Sequence, residues 1–276
     1  MAESSRSSDA SLSRAIDIAG RALATTPAGL LTDFDGTVSP IVADPLLAEL
    51  VEGASGALEK LAARLAVVAI ITGRAPLDAR RMAAVPSLLV IGNHGIEWLE
   101  PAAAEPVASP EADAMHERMR AALSRLPQLD GVVVEDKGVS STIHYRGAPD
   151  PDAARRRIVA EIGEPGEGIE VRHGRMSVEL RPTGLGDKGA AARQVVERFG
   201  LSGVVVMGDD LTDLDMFTAV AQMRDEGRLL RGAIIGVGST DHEAPAAIVE
   251  AADVMLADPA QAALLLAALA EVPEVS

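Results

Sequence analysis

The chain of 276 residues carries 41 acidic residues against 25 Lys and Arg, a formal net charge of −16, with 48% apolar residues and no cysteine. This composition supports one large or two modest folded domains and argues against nucleic acid or an anionic membrane surface as a general partner. The lack of cysteine excludes disulfides, thiolate zinc sites and cysteine nucleophiles. Aromatics make up only 2%, so a stacking platform for bases or polymeric sugars is not expected.

The opening stretch MAESSRSSDASLSRA is polar and Ser-rich, without the apolar segment of a secretory leader, and residues 1–23 are predicted as a flexible tail. No run reaches the roughly 18 to 20 apolar residues that span a bilayer, so a soluble cytoplasmic protein is expected. Next comes GLLTDFDGTVSPI, where an apolar run ends in Asp33 and Asp35, followed by Gly36 and Thr37. In an extended segment positions i and i+2 face one side, which predicts that the two carboxylates share one space. Like charges that close raise each other's pKa unless a cation lies between them. The plainer alternative is a strand entering a solvated Asp-Gly turn.

LLAELVEGASGALEKLAARL has helical spacing, and LAVVAIITGR and LLVIGNHG are short apolar runs that stop at Gly or Asn. Runs without alternation read as strands buried on both faces of a parallel sheet. The pattern changes after the Pro- and Ala-rich linker EPAAAEPVASPEA. EADAMHERMRAALSRL and DPDAARRRIVAEIG are predicted as helices. GVVVEDKGVSSTIHYR is predicted as two strands around a tight DKG turn, and GIEVRHGRMSVELRP as a hairpin turning at His173 and Gly174. Residues 108–181 therefore read as an inserted α+β domain, with RPTGLGD as the returning hinge. KGAAARQVVERFG is again helical, and GVVVMGDD and GAIIGVG complete the strands. The predicted fold class is α/β: a Rossmann-like core with a doubly wound parallel sheet over residues 24–107 and 182–276, plus the insert.

In such sheets, ligands bind beyond the carboxyl ends of the strands. Those ends deliver Asp33 and Asp35, Thr72 with Gly73 and Arg74, Asn93 and His94, and Asp209 and Asp210 to one rim. GDDLTD adds Asp213, four residues after Asp209, on one face of a helical turn. A carboxylate cluster repels itself unless it holds a hard cation, and carboxylate oxygens suit magnesium. A carboxylate can also act as the nucleophile of phosphoryl transfer. Asp33 would then attack phosphorus, and Asp35 would protonate the leaving alcohol and afterwards activate water.

DFDGT, ITGR, DKG at 187–189 and GDDLTD, in that order, resemble the four motifs of the haloacid dehalogenase superfamily of phosphatases, over nearly the whole chain from about residue 28. The resemblance implies Asp33 as nucleophile, Asp35 as general acid and base, and Thr72 and Lys188 as holders of the phosphoryl oxygens. It implies magnesium bound by the Asp33 carboxylate, the Asp35 carbonyl and Asp209, with Asp213 ordering its waters and the lysine. Phosphoryl transfer needs this kind of positioning and charge neutralisation.

VEDKGVSSTIHYR and SVELRP of the insert, with GNHGIE and GDDLTDLDMF of the core, resemble the trehalose-6-phosphate phosphatases. That resemblance implies a sugar phosphate, trehalose 6-phosphate, as the small-molecule substrate, and an insert that acts as a specificity cap. It points to Glu135, Lys137 and Glu179 as sugar-binding residues, with Arg146 and Arg181 as further candidates. Carboxylates accept hydrogen bonds from vicinal hydroxyls and a lysine donates them; the plainer alternative is a surface hairpin with an exposed ion pair. Arg74 is expected either on a catalytic-loop carboxylate or on the substrate, and His94 in a structural role. His116, His173 and His242 show no metal-ligand spacing, and His144 is assigned to its strand or an interdomain interface. Leu214 stands where the family often carries Glu, which removes one expected support of the motif loop, with Asp215 as a partial substitute. Two other readings stay open: a phosphatase of another glycosyl phosphate (glucosylglycerol phosphate, mannosyl-phosphoglycerate or sucrose phosphate), and a non-catalytic phosphatase-like regulatory module.

Overall fold

The short apolar runs become strands whose alternate residues feed two separate cores. The structure, a computed structural model, describes residues 2–42, 44–136, 139–163, 168–174, 176–239 and 244–271. Contacts divide the chain into two units, Met1–Pro106 with Asp187–Ser276, and Val107–Gly186.

The first unit begins with α1 (Ala2–Leu23), β1 (Ala28–Thr32), α2 (Ala54–Arg64), β2 (Val67–Ile71), α3 (Pro76–Ala83), β3 (Leu89–Gly92) and β4 (Glu97–Leu99). The second unit contains β5 (Val107–Ala108), α4 (Pro110–Leu123), β6 (Val133–Asp136), β7 (Ser141–His144), α5 (Pro151–Ile162), β8 (Ile169–Gly174) and β9 (Ser177–Pro182). The first unit resumes with α6 (Lys188–Phe199), β10 (Gly203–Gly208), α7 (Leu214–Asp225), β11 (Arg231–Val237), α8 (Ala246–Ala251), β12 (Val254–Leu256) and α9 (Pro259–Ala270).

In the first unit the strand order is β12-β11-β10-β1-β2-β3-β4, parallel except for β4, which runs antiparallel to β3. Leu30, Val68, Ile70, Val205, Met207 and Ile235 join one core with α1, α2 and α9. Leu31, Ala69, Ile71, Val204, Val206 and Ile234 join the other, with α6 and α7. Period-two alternation inside uniformly apolar strands thus produces the doubly wound sheet. Because β1 and β10 are adjacent and parallel, with Thr32 beside Met207, Asp33 and Asp209 emerge at the same edge.

The second unit carries an antiparallel sheet of order β6-β7-β9-β8. Alternation along β7 and β9 buries Ile143, Val178 and Leu180, and the two helices bury Met115, Met119, Ile158 and Ile162.

Four features differ from the sequence reading. The predicted flexible tail is the helix α1, in which Ala15, Ala19, Ala22 and Leu23 are buried against the first core. The stripe has helical spacing, but it is built of alanines, whose weak hydrophobicity the Ser-rich context hides. The predicted helix over 46–65 starts only at Ala54: Gly53, at φ +86°, begins it, and Pro45–Leu47 form a separate short 3-10 turn. The β8–β9 hairpin turns after Gly174, since His173 still pairs with Val178. The units meet in sequence at 106/107 and 186/187, a few residues outside the predicted 108 and 181.

Gly20 of α1 has open space where a Cβ would stand, whereas Ala19 is fully buried. Gly20→Ala is expected to raise stability by about 0.5–1 kcal/mol, and Ala19→Glu to lower it by on the order of 2–4 kcal/mol. Urea unfolding measures both; a flexible tail would register neither.

Candidate active site

Asp33 lies one residue beyond β1, fixed by its backbone N–H donating to the Met207 carbonyl at 2.9 Å. Its carboxylate is almost fully buried and meets the ammonium of Lys188 at 2.9 Å. Lys188 is the first residue of α6, a helix capped by Asp187, whose side chain accepts from the Ala190 N–H. The ammonium is itself buried and reaches Asp213 Oδ1 at 2.7 Å. Asp213 Oδ2 in turn accepts from the backbone N–H of Asp209 at 2.9 Å and of Asp210 at 3.2 Å. Asp213 therefore ties the end of β10 to the lysine with both oxygens engaged.

Asp209 completes the cluster. Its Oδ1 accepts from the Thr37 hydroxyl at 2.9 Å, and its carboxylate packs over Gly36, where a Cβ would stand 2.1 Å from Oδ2. Gly36 also sits at φ +77°, so both space and backbone require glycine at this position. Gly208 is constrained by space alone: a Cβ there would lie 2.5 Å from the Asp213 Cβ.

One carboxylate oxygen from each of Asp33, Asp209 and Asp213 lies within 4.8 Å of the others. One ammonium faces these three acids. Burial alone would lower the Lys188 pKa, but Asp213 and Asp33 outweigh it and hold the ammonium charged. Burial pushes Asp33 well up, against the pull of Lys188 and with repulsion from Asp213 and Asp209 adding to it. Burial, then repulsion from Asp213, pushes Asp209 up to about 7. A cluster of hard oxygen donors short of positive charge fits a divalent cation. With Asp213 engaged twice, Asp33 and Asp209 are the side chains suited to hold the ion.

Asp35 departs from the expected shared space. Its carboxylate takes both ends of the Arg74 guanidinium, at 2.6 Å each, and is not one of the clustered acids. Arg74 is anchored by the Pro45 carbonyl at 2.8 Å and lies over the Phe34 ring, 5.7 Å from its centroid. The two acids therefore have separate cations, Lys188 for Asp33 and Arg74 for Asp35, which relieves their repulsion without a shared ion. Arg74, expected either on a carboxylate of this loop or on the substrate, holds the Asp35 carboxylate.

Thr72 is buried at the end of β2, where its hydroxyl accepts from the Arg74 N–H at 3.2 Å and its carbonyl from the His94 N–H at 2.9 Å. The His94 ring covers Gly73, whose Cβ would fall 2.6 Å from Cε1. Asn93 donates to Glu97, which pins the turn after β3. The sequence reading gave no role to Thr37, Phe34 or Glu97. Thr37 could have been found from its place in DFDGT, whereas the other two depend on how the loops pack. Leu214 begins α7 and packs against the second core, and burial, then repulsion from Asp187, raises the pKa of Asp215.

In the second unit, strand register aligns Glu135, Thr142, Glu179 and Arg172 in one cross-strand row, so Glu135 and Glu179 share a sheet face. His144 Nε2 lies 3.2 Å from Glu135, and Arg181 Nε 3.6 Å from Glu179. Arg146 is exposed just beyond β7. Lys137 and His242 lie outside the described residues.

A parallel sheet with carboxylates at its carboxyl edge and an inserted α+β unit make up the fold of the haloacid dehalogenase-like hydrolases. A member of that class from Bacteroides thetaiotaomicron superposes with TM-score 0.58 at 15% identity, covering 87% of this chain and 98% of that one, a likeness of fold. The family is narrower: a model described as trehalose-phosphatase matches residues 31–244, and the chain belongs to that family. The trehalose-phosphate phosphatase of Mycobacterium avium is 38% identical over 208 residues, 68% of this chain and 50% of that protein. Aspergillus fumigatus trehalose-6-phosphate phosphatase superposes with TM-score 0.59 at 26% identity, covering 92% of this chain and 97% of that one. The chain spans about half the length of the curated phosphatases it matches.

A carboxyl with a higher pKa folded than unfolded binds its proton more tightly when folded. Its contribution to stability is then present below the unfolded value and lost as pH rises through the folded one. For Asp209 the window runs from 3.8 to about 7. In EDTA, stability is expected to fall across this window more steeply for the wild type than for Asp209→Asn. Urea unfolding at stepped pH checks this, and parallel profiles would refute it.

Proposed function

We propose that the chain is a magnesium-dependent phosphatase that hydrolyses trehalose 6-phosphate to trehalose and phosphate. The observation that carries the reading is the buried Asp33 carboxylate on Lys188, which Asp213 orients, within a chain of the trehalose-phosphatase family. Asp33 attacks phosphorus, the bond to the sugar oxygen breaks, and Asp35 gives its proton to the leaving alkoxide, leaving an aspartyl-phosphate. Asp35 then takes a proton from the water that attacks phosphorus, which releases phosphate and restores Asp33. Lys188 and the Thr72 hydroxyl steady the equatorial oxygens.

When bound by Asp33 and Asp209, with the Asp35 carbonyl, magnesium supplies further positive charge for those oxygens. Arg74 fixes where the Asp35 carboxylate sits, with one bond to each of its oxygens. For an Asp35 oxygen to carry the proton it gives to the leaving alkoxide, one of those bonds must open. Glu135, Lys137 and Glu179 are assigned to the disaccharide hydroxyls. The shared face of Glu135 and Glu179 supports that assignment. A cytoplasmic location follows the same reading; no helix among the described residues is long and apolar enough to cross a membrane.

Phosphate release from trehalose 6-phosphate, glucose 6-phosphate, sucrose 6-phosphate and glucosylglycerol phosphate tests this, with magnesium or EDTA. The expected result is turnover selective for trehalose 6-phosphate, abolished by EDTA and lowered at least about 10³-fold in Asp33→Asn. Preference for another ester would overturn the substrate, and no turnover of any ester would favour a non-catalytic regulatory module.

A further inference from the structure

Away from the catalytic carboxylates, a cleft of about 290 Å³ opens between α1, the end of α7 and the start of β11. Four arginines line it: Arg14 and Arg21 from α1, Arg224 from α7, and Arg231 from β11, with Asp253 as the acidic lining residue. Two of the four are already neutralised. Arg21 pairs with Asp17 at 2.5 Å, and Arg224 reaches Asp253 at 3.0 Å. No carboxylate lies within ion-pair distance of Arg14 or Arg231 among the described residues.

In a chain of net charge −16, two uncompensated guanidinium groups bordering one cleft form a local reversal of the field. Ile18, Ala22 and the exposed Leu230 add an apolar wall. We propose that this cleft binds a small organic anion with two anionic groups, phosphate or carboxylate, one for Arg14 and one for Arg231. The guanidinium fork matches the oxygens of either group in bidentate fashion. The volume stands at the lower end of ligand-sized cavities, which suits a small metabolite. The acidic remainder of the surface excludes an extended polyanion.

The site is separate from the catalytic one. Arg231 pairs with Gly203 at the amino end of β10, whereas Asp209 follows Gly208 at its carboxyl end. A ligand here therefore cannot touch the phosphoryl-transfer residues, and its occupancy is readable apart from turnover.

The test is an NMR titration of the full chain in EDTA with inorganic pyrophosphate and, separately, citrate. The expected result is saturable movement of the Ala22 and Gly232 amides with at least one probe. Arg14→Ala/Arg231→Ala should weaken it at least about tenfold. Arg81→Ala/Arg157→Ala, which removes two charges elsewhere, should leave it unchanged. A stronger response to pyrophosphate would assign the ligand to phosphate esters, and to citrate, to polycarboxylates. Unmoved Ala22 and Gly232 amides with both probes, or equal movement in the cleft double variant, would overturn the proposal. Both variants replace exposed side chains, and their urea unfolding curves confirm the fold.

Discussion

The buried ammonium of Lys188, shared by Asp33 and Asp213, is the contact on which the rest of the site depends. A lysine so thoroughly removed from water keeps its charge only because two carboxylates flank it, and burying such a group without partners is prohibitive. Asp213 is in turn held by two backbone N–H groups at the end of β10. The sheet thus fixes Asp213, Asp213 fixes Lys188, and Lys188 fixes Asp33.

In this arrangement three carboxylates face one ammonium, and burial, with repulsion among the acids adding to it, raises the pKa of Asp33 and Asp209. The protein has a folded site that is electrostatically incomplete in itself, which is the physical basis for a divalent cation there. Asp35 lies outside this cluster, paired with Arg74. In the proposed mechanism that separation matters, since a nucleophile and an acid-base group two residues apart need different environments to do different work. The loop supplies them: Asp33 points inward to a buried lysine, and Asp35 stays partly exposed on an anchored arginine.

The strand ends were legible because uninterrupted apolar runs stopping at Asp, Thr or Asn follow directly from burial on both faces of a parallel sheet. The gathering of Asp33, Thr72, Asp209 and Asp213 at one edge followed from that topology. The division of Asp33 and Asp35 between two cations was not legible, since it depends on how Arg74 folds back onto the loop at Phe34 and Pro45. Helix α1 was missed because its buried stripe is alanine, set in a Ser-rich segment. The start of α2 was misplaced because Gly53 adopts a left-handed conformation that helical spacing alone does not reveal. In the second unit, the row joining Glu135 to Glu179 required the strand register, and the sequence shows the strands without their pairing.

The central claim is that Asp33, oriented by the shared lysine, is the group that takes the phosphoryl. The most direct measurement is a single turnover of trehalose 6-phosphate by the wild-type chain, quenched in acid at successive times and mapped by peptide mass spectrometry. The account predicts a transient phosphoryl group on Asp33 that rises before free phosphate and decays as phosphate appears. Phosphate release at full rate with no phosphoryl on Asp33, or with the group on another residue, would contradict it.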